Sequence, residues 1–330
     1  MSISKEKKIS YLINAVALLI LFDILSMLFQ SGILGSKNAY IQGICTTACY
    51  TIVLVSSLNL LTGFMGEFSL GHAGFMSVGA YASAIATSYL GTLGIPKLGL
   101  FLIALIVGGL AVAVTGVAVG IPALRLRGDY LAIVTVAFAE IIRVAFCNFQ
   151  ITGGGRTLSG IAKLSSFYWC YWVTVVCVAI MYMYVRSRFD RTVTAIREDY
   201  ITAAASGINV TFYKVLTFTI SAFFAGIGGA IYAQSVSVNF AVTTIVGPGF
   251  IALAAMIFGK WNPIGAMLAS LFFGASQSLA VIGNQLPLLK GIPSIYLQIA
   301  PYVLTMVVLA AFFGQAVAPK ADGVNYIKSK

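Results

Sequence analysis

The sequence predicts an all-α, polytopic membrane protein with about ten transmembrane helices and both termini in the cytoplasm. Of its 330 residues, 60% are hydrophobic and only 9% are charged, which leaves too few polar side chains to cover a soluble globule. Apolar runs of about 20 residues, the length that crosses a bilayer as a helix, follow one another along the chain. No interval between them is long enough to bury a core of its own, so residues 1–330 are predicted to form a single transmembrane domain.

Ten candidate spans follow from the lengths of the apolar runs. In chain order they are Tyr11–Phe29, Ile41–Leu61, Phe68–Leu90, Leu98–Ile121, Tyr130–Phe149, Phe167–Val185, Val215–Gln234, Val242–Gly259, Ile264–Ile282 and Leu297–Gly314. The third is rich in glycine and the eighth is short. The first follows a basic start without a small-residue cleavage site, so we expect it to be retained.

The basic residues predict the orientation of these spans. With the N-terminus inside, the inner segments hold 14 Lys and Arg residues and the outer segments hold five. Cytoplasmic loops carry such an excess, which supports an even number of spans and cytoplasmic termini. Because short loops account for the net charge of +11, we do not expect a nucleic-acid partner.

The longest polar interruption, the polar segment, runs from Arg186 to Lys214. Its charged residues are Arg186, Arg188, Asp190, Arg191, Arg197, Glu198, Asp199 and Lys214. We expect it to lie in water on the cytoplasmic side, with a helical middle and a Gly-Ile-Asn break near its end. Its first part, Arg186 to Arg191, is predicted to anchor the orientation, and only Ala195 to Asn209 to be the surface through which an external motor moves the membrane part.

No motif in the sequence predicts nucleotide binding or catalysis. The phosphate-binding pattern G-x-x-x-x-G-K-[ST] is absent, because Gly259-Lys260 is followed by Trp261 and the residue five before Gly259 is Ala254. If ATP drives the protein, another chain must bind it. With a single histidine, His72, and cysteines that we interpret as packing residues, neither a metal site nor a catalytic triad can be assembled, so an enzyme is not expected.

Residues Asn59–Ala84, NLLTGFMGEFSLGHAGFMSVGAYASA, break the apolar pattern at a membrane boundary. Irregular backbone at membrane depth is tolerated where it is buried in protein or lines a watery cavity. One interpretation is a broken helix beside a translocation path, with Glu67, Ser69 and His72 as candidate lining residues. The other is close packing of helices at small residues. A lone histidine is more often a hydrogen-bonded packing residue than a proton relay.

Glu140 and Arg143 lie one helical turn apart within a predicted span, so they can pair on one face. Ionisable groups within a span usually face the bundle interior or a water-filled cavity. The pair is therefore either a structural intramembrane ion pair or part of a translocation path.

Two further stretches predict local structure. The glycine-rich run Ile151–Ile161, ITGGGRTLSGI, is expected to be an external loop that meets a partner or turns the chain. In Ser221–Ala233, small residues recur at four-residue spacing (Ala222, Gly226 and Ala230), which indicates close helix contact in lipid.

Several stretches resemble the permease subunits of bacterial ATP-binding-cassette importers, specifically the branched-chain amino-acid group. They are Asn59–Ala84, RLRGDYLAIVTVAFAEIIRV from Arg125, Ile151–Ile161, and AIREDYITAAASGINVTFYKVLTFTISAFFAGIGGAIYA from Ala195. The resemblance implies that Ala195–Asn209 is a cytoplasmic coupling helix that docks on the ATPase. Its candidate residues are Arg197, Glu198, Asp199, Ala203, Ala204, Ala205 and Gly207.

The C-terminal part is more similar to permeases of nucleoside importers of the same superfamily. The resemblance lies in GFIALAAMIFGKWNPIGA from Gly249, PYVLTMVVLA from Pro301 and APKADGVNYIK from Ala318. The first choice of substrate is therefore a branched-chain or other hydrophobic amino acid, and the alternative is a nucleoside.

The resemblance implies a multi-pass protein of the bacterial plasma membrane that binds no cofactor itself and works with three kinds of partner. Cytoplasmic ATPase subunits hydrolyse ATP, a second permease chain, the same or paralogous, completes the path, and an extracytoplasmic protein delivers the solute. An ion-coupled secondary transporter is the alternative from another class, with Glu140, Arg143 and His72 as its coupling groups.

Overall fold

The computed structural model describes residues 38–126, 128–149, 152, 158–159, 164–235, 239–240 and 246–282, together with single positions near both chain ends. Within these residues the regular secondary structure is helical except for one pair of two-residue strands. The first and tenth predicted spans, Tyr11–Phe29 and Leu297–Gly314, lie outside the described residues except for scattered positions, and so do both termini.

The described helices are numbered here in chain order. They are α1 (Asn38–Asn59), α2 (His72–Leu90), α3 (Lys97–Ala123), α4 (Asp129–Asn148), α5 (Phe167–Val185), α6 (Arg188–Glu198), α7 (Tyr200–Ala205), α8 (Val210–Ser235), α9 (Val246–Phe258) and α10 (Pro263–Ile282). A π-helical turn, Leu60–Phe64, continues α1, and a 3₁₀ turn, Gly91–Leu93, follows α2. The strands are β1 (Leu158–Ser159) and β2 (Asn239–Phe240).

Five helices within the described residues are long and apolar enough to cross a membrane, namely Ile41–Phe64, Lys97–Ala123, Asp129–Asn148, Phe167–Val185 and Val210–Ser235. They confirm the second, fourth, fifth, sixth and seventh predicted spans. The third and ninth predicted spans are helical as α2 and α10, and the eighth corresponds to the shorter helix α9. The predicted helical, polytopic architecture is therefore confirmed for this part of the chain.

Helices α2, α3 and α8 cross at very short distance because small residues face one another. A Cβ added to Gly116 of α3 would lie 2.8 Å from the Cβ of Ala222 of α8. A Cβ on Gly226 would meet Val112 at 2.7 Å and the carbonyl oxygen of Gly108 at 2.9 Å, and one on Gly79 would overlap the backbone of Gly226. The predicted role of the small-residue stripe in close helix contact is confirmed.

The helices around this crossing differ in how much of their surface is buried. Helix α1 packs on α8 and is itself covered by α5, α9 and α10, whereas α4 packs mainly on α2. Of the apolar window in Ile41–Phe64, 78% is buried inside the protein, against 17% for Asp129–Asn148. Helix α4 therefore turns most of its surface away from the described helices.

Several connections meet at one end of the bundle. The residues after α1 contact Arg197 of α6 and the turn after α9, where the backbone of Trp261 lies beside Gly63. A cleft lined by Arg125, Tyr200 and Lys214 joins the end of α3 to the same region. Most of the basic residues of the described chain lie at this end, which we call the basic end.

The strand pair lies at the opposite end, since α5 and α8 lead from the strands to the basic end. Leu158 pairs with Phe240 and Ser159 with Asn239, antiparallel. Part of the run Ile151–Ile161, expected to be a loop, is therefore a short strand.

Candidate functional site

The polar segment folds as two short helices, α6 and α7, rather than as the single coupling helix predicted over Ala195–Asn209. Asp199 separates them with an extended backbone, φ −154° and ψ 101°. Its side chain accepts hydrogen bonds from the backbone N–H groups of Ile201 at 2.9 Å and Thr202 at 3.2 Å. Asp199 thus caps the start of α7. The pKa of its carboxyl is lowered first by the hydrogen bond that the Thr202 hydroxyl donates to Oδ2 at 2.5 Å, and then by the backbone bonds.

Helix α7 ends at Ala205, and Gly207, two residues further, adopts a left-handed conformation with φ +83°. The N–H groups of Gly207 and Ile208 bond back to the carbonyls of Ala204 and Ala203. A residue with a Cβ is strained in this conformation, so glycine is the residue that fits.

The exposed face of α7 is mostly apolar. Ala204 and Ala205 are exposed and Ala203 is buried, while Ile201, a large aliphatic residue outside the membrane spans, is 45% exposed. Glu198 beside it is also exposed. Because the alanine side chains are short, a partner protein can approach the backbone of α7 closely, with the charge of Glu198 beside the contact.

Arg197 points in the other direction, toward the residues after α1. Its Nη1 donates a hydrogen bond of 3.0 Å to the carbonyl oxygen of Gly63, and Glu198 accepts from its Nε at 3.2 Å and its Nη2 at 2.7 Å. The Arg197 side chain is 21% exposed. Its stem lies against Gly66, where an added Cβ would come within 2.6 Å of the Arg197 Cγ.

A second contact joins the polar segment to the residues that follow α1. The ammonium group of Lys214, at the start of α8, forms an ion pair with the carboxylate of Glu67. Only 18% of the Lys214 side chain and 13% of the Glu67 side chain are exposed. An ion pair so well shielded from water is screened less than one at the surface.

Residues Met65–Gly71, the irregular segment, separate α1 from α2 without regular helix. The predicted irregular backbone is therefore present. Gly66 has φ +73°, and the N–H of Leu70 donates to Thr135 Oγ1 of α4 at 3.2 Å. The irregular segment thus contacts both the polar segment and α4.

His72 and Ser69 lie inside the protein at the end of the irregular segment. His72 is 2% exposed, and its Nε2 is 2.8 Å from the Oγ of Ser57 in α1. Ser69 is fully buried, and its Oγ has no hydrogen-bond partner within the described part of the chain. The geometry of His72 is that of a hydrogen-bonded packing residue.

Glu140 and Arg143 form the predicted pair on α4, with Glu140 accepting from Arg143 Nε at 2.8 Å. The pair does not face the interior of the described helices, because the side chains are 56% and 35% exposed. It belongs to an exposed stripe at helical spacing, which also contains Tyr130, Ile133, Ala137, Ile141 and Val144.

Asp190 of α6 is a buried acid at the basic end, 8% exposed. Burial raises its pKa from 3.8 to about 6, and the positive charge of Arg197 opposes the shift only in part. Its Oδ1 has no hydrogen-bond partner within the described residues. The charged form of Asp190 is therefore costly in the folded protein.

One protein family matches most of this chain. The family described as "Branched-chain amino acid transport system / permease component" matches residues 40–313. The chain belongs to this permease family.

Three relatives of this chain are named either as nucleoside permeases or as branched-chain amino acid permeases. The nucleoside ABC transporter permease protein NupC of Lactococcus lactis is 56% identical over 47% of this chain and 49% of its own length, so the match spans about half of that relative. The guanosine ABC transporter permease protein NupQ of Bacillus subtilis is 35% identical over 85% of this chain and 96% of its own. The branched-chain amino acid permease protein LivM of Escherichia coli is 31% identical over 72% and 62%.

These relatives are transport subunits. The prediction of a multi-pass protein of the plasma membrane is confirmed by the family and by the membrane-length helices. The resemblance to both branched-chain amino-acid and nucleoside permeases is confirmed as well.

The residues predicted for the translocation path of the permease fall into two groups. Glu67, Ser69 and His72 lie in or next to the irregular segment, close to the polar segment, whereas Glu140 and Arg143 lie on the exposed face of α4. Thr135, on the buried face of α4, links the irregular segment to the helix that carries the second group, through its bond with Leu70.

Sequence reasoning missed the residues that receive these contacts. Ser57 bonds to His72 at the start of α2, Thr135 accepts from Leu70 of the irregular segment, and the backbone of Trp261 lies beside Gly63 just before it. Lys260 and Trp261 both have φ of +55°, an unusual backbone for two successive non-glycine residues. The following Asn-Pro pair, a turn signal, could have located this turn but not its contact with Gly63.

Proposed function

We propose that the chain is the permease subunit of an ATP-driven importer that takes up nucleosides. The observation that carries the proposal is the 35% identity to a guanosine ABC transporter permease along 96% of that protein. The 56% identity to a nucleoside permease over a shorter stretch supports the same substrate class. Both values exceed the 31% identity to LivM, so a nucleoside is favoured over the hydrophobic amino acid that was the first choice from sequence.

The basic end of the bundle is assigned to the cytoplasm, where it meets the ATPase subunits. Its connections carry Arg125, Arg186, Arg188, Arg191 and Lys260, the bias typical of cytoplasmic loops. The exposed face of α7, with Ala204, Ala205 and Gly207, is the proposed contact with the ATPase. ATP is bound and hydrolysed by those partner subunits, and an extracytoplasmic binding protein delivers the solute to the opposite end.

The exposed stripe of α4 is the proposed wall of the translocation path, completed by a second permease chain. A charged side chain near the bilayer centre is costly against lipid, by about 3 kcal/mol on insertion scales. Glu140 and Arg143 are exposed on a helix of membrane-spanning length, which supports a polar or protein neighbour over lipid. The second chain is either another copy or a paralogue.

Branched-chain amino acids remain the second candidate substrate, favoured by the family description and by the alignment with LivM. The two substrates share the proposed architecture and differ in the solute that the complex accepts. Uptake measurements therefore distinguish nucleosides from branched-chain amino acids as the substrate.

The proposed function is tested by co-purification and reconstitution. The chain, expressed with its ATPase subunits and binding protein, is expected to co-elute with the ATPase and to accumulate solute in proteoliposomes only when ATP is present. Accumulation by the chain alone under a proton or sodium gradient would instead support an ion-coupled secondary transporter and contradict the proposal.

A further inference from the structure

Two side chains of the polar segment connect it to the π-helical turn after α1 and to the irregular segment that follows, and neither belongs to the exposed face of α7. Arg197 donates to the Gly63 carbonyl, and Lys214 pairs with Glu67. We call these two contacts, with Gly66, the junction. Because they lie on either side of Gly66, they hold both flanks of the point where the chain leaves α1.

The backbone around Gly66 is shaped to allow this approach. Gly66 has φ +73°, and an added Cβ would come within 2.6 Å of Arg197 Cγ. Gly63 lies near the end of a π-helical turn, so its carbonyl is one of those that a helix end leaves without an intrahelical partner. The guanidinium of Arg197 supplies that partner through a charge-assisted hydrogen bond.

The other side of the irregular segment is fastened to the membrane helices. His72 bonds to Ser57 of α1, and the N–H of Leu70 bonds to Thr135 of α4. Helix α4 carries the exposed pair of Glu140 and Arg143 on another face. A continuous set of contacts therefore runs from α6 through the irregular segment to α4.

We propose that Arg197 and Lys214 are positioning residues that transmit the movement of the ATPase to the membrane helices through the junction. The inference rests on the proposed function and deepens it, because it assigns to Arg197 a role distinct from contact with the ATPase. Charge-assisted hydrogen bonds are stronger than neutral ones, and shielding from water strengthens them further, so they fix the two segments relative to each other.

The test uses the complete complex with ATPase subunits and binding protein in proteoliposomes. Arg197→Met and Lys214→Met remove the charged groups and retain the apolar stems. Each complex is expected to keep its ATPase subunits and to hydrolyse ATP, while solute uptake per ATP hydrolysed falls about tenfold, equivalent to about 1.4 kcal/mol. Arg191→Met, at an exposed arginine of the same helix, is the matched control and should keep the wild-type ratio.

A charge exchange tests whether the pairing of residues 214 and 67 is itself required for coupled uptake. Lys214→Glu alone is expected to lower uptake per ATP, and adding Glu67→Lys should restore it by re-forming the pair in the opposite sense. The charge-exchange experiment tests the role of the junction even if a methionine variant fails to fold.

Three outcomes would overturn the proposal. They are an unchanged uptake-to-ATP ratio in both methionine variants, loss of the ATPase from the Arg197→Met complex, or a charge exchange that transports no better than Lys214→Glu. None of these touches the proposed function, which fails instead if the wild-type chain neither binds an ATPase nor shows ATP-dependent uptake.

Discussion

The crossing of α2, α3 and α8 predicts opposite effects for two glycines that lie two positions apart. In Gly226→Ala the new methyl group would lie 2.7 Å from Val112 Cγ2 and 2.9 Å from the Gly108 carbonyl oxygen. In Gly228→Ala the nearest atom is the Tyr50 carbonyl oxygen at 3.5 Å, an ordinary contact. Since both sites lie in α8, the gain in helix propensity, about 1 kcal/mol, is common to both variants.

The difference between the variants therefore reports the overpacking alone. Excess volume in a packed core costs about 1–3 kcal/mol, and one backbone neighbour of Gly226 cannot rotate away. At roughly 2–4 °C per kcal/mol, Gly226→Ala should melt about 2–12 °C below Gly228→Ala.

The assay is thermal unfolding of the purified permease in detergent, with all variants heated at the same rate because such unfolding is often irreversible. Val112→Ala added to Gly226→Ala should recover part of the loss, because it removes the atom that the new methyl group meets. Equal melting temperatures for Gly226→Ala and Gly228→Ala would refute the close helix crossing.

Three further predictions address the polar segment and α4. Gly207→Val should lower ATP-dependent uptake, whereas Gly207→Asn, which tolerates a left-handed backbone, should retain most of it; equal uptake by the two would contradict a conformational role for Gly207. The folded-state pKa of Asp190 is raised, so the stability that its protonated form contributes is present below pH 3.8 and lost as the pH rises through about 6. Asp190→Asn should therefore raise the melting temperature at pH 7.5 and progressively less toward pH 4, and a gain independent of pH would contradict the burial of a charged carboxylate. A photo-crosslinking residue at Ile141, 61% exposed on α4, should capture a second permease chain, whereas one at Val114, 71% exposed on α3, should capture lipid; equal capture of protein would argue against the proposed interface.

Features that depend on local pattern were predictable from the sequence. The length of the apolar runs predicted the membrane helices, and the spacing of Ala222, Gly226 and Ala230 predicted the close crossing. Glu140 and Arg143 were expected to pair because residues three apart share a helix face. Each of these follows from helix geometry alone.

Features that depend on distant parts of the chain were not predictable. The bond from Arg197 to Gly63 joins residues 134 positions apart and involves a carbonyl that every residue possesses, so no residue type signals it. The exposure of Glu140 depends on which helices pack on α4, and periodicity does not specify that. The break at Asp199 had a local signal, a capping acid three residues before Thr202, but the helical pattern on either side concealed it.

Nucleoside import by the complete complex is tested most directly by uptake of labelled guanosine into proteoliposomes, with unlabelled leucine or guanosine as competitor. We predict ATP-dependent guanosine uptake that excess guanosine abolishes and excess leucine leaves unchanged. Uptake of labelled leucine that guanosine fails to inhibit, with no accumulation of guanosine, would contradict the proposed substrate class and restore the branched-chain amino acids.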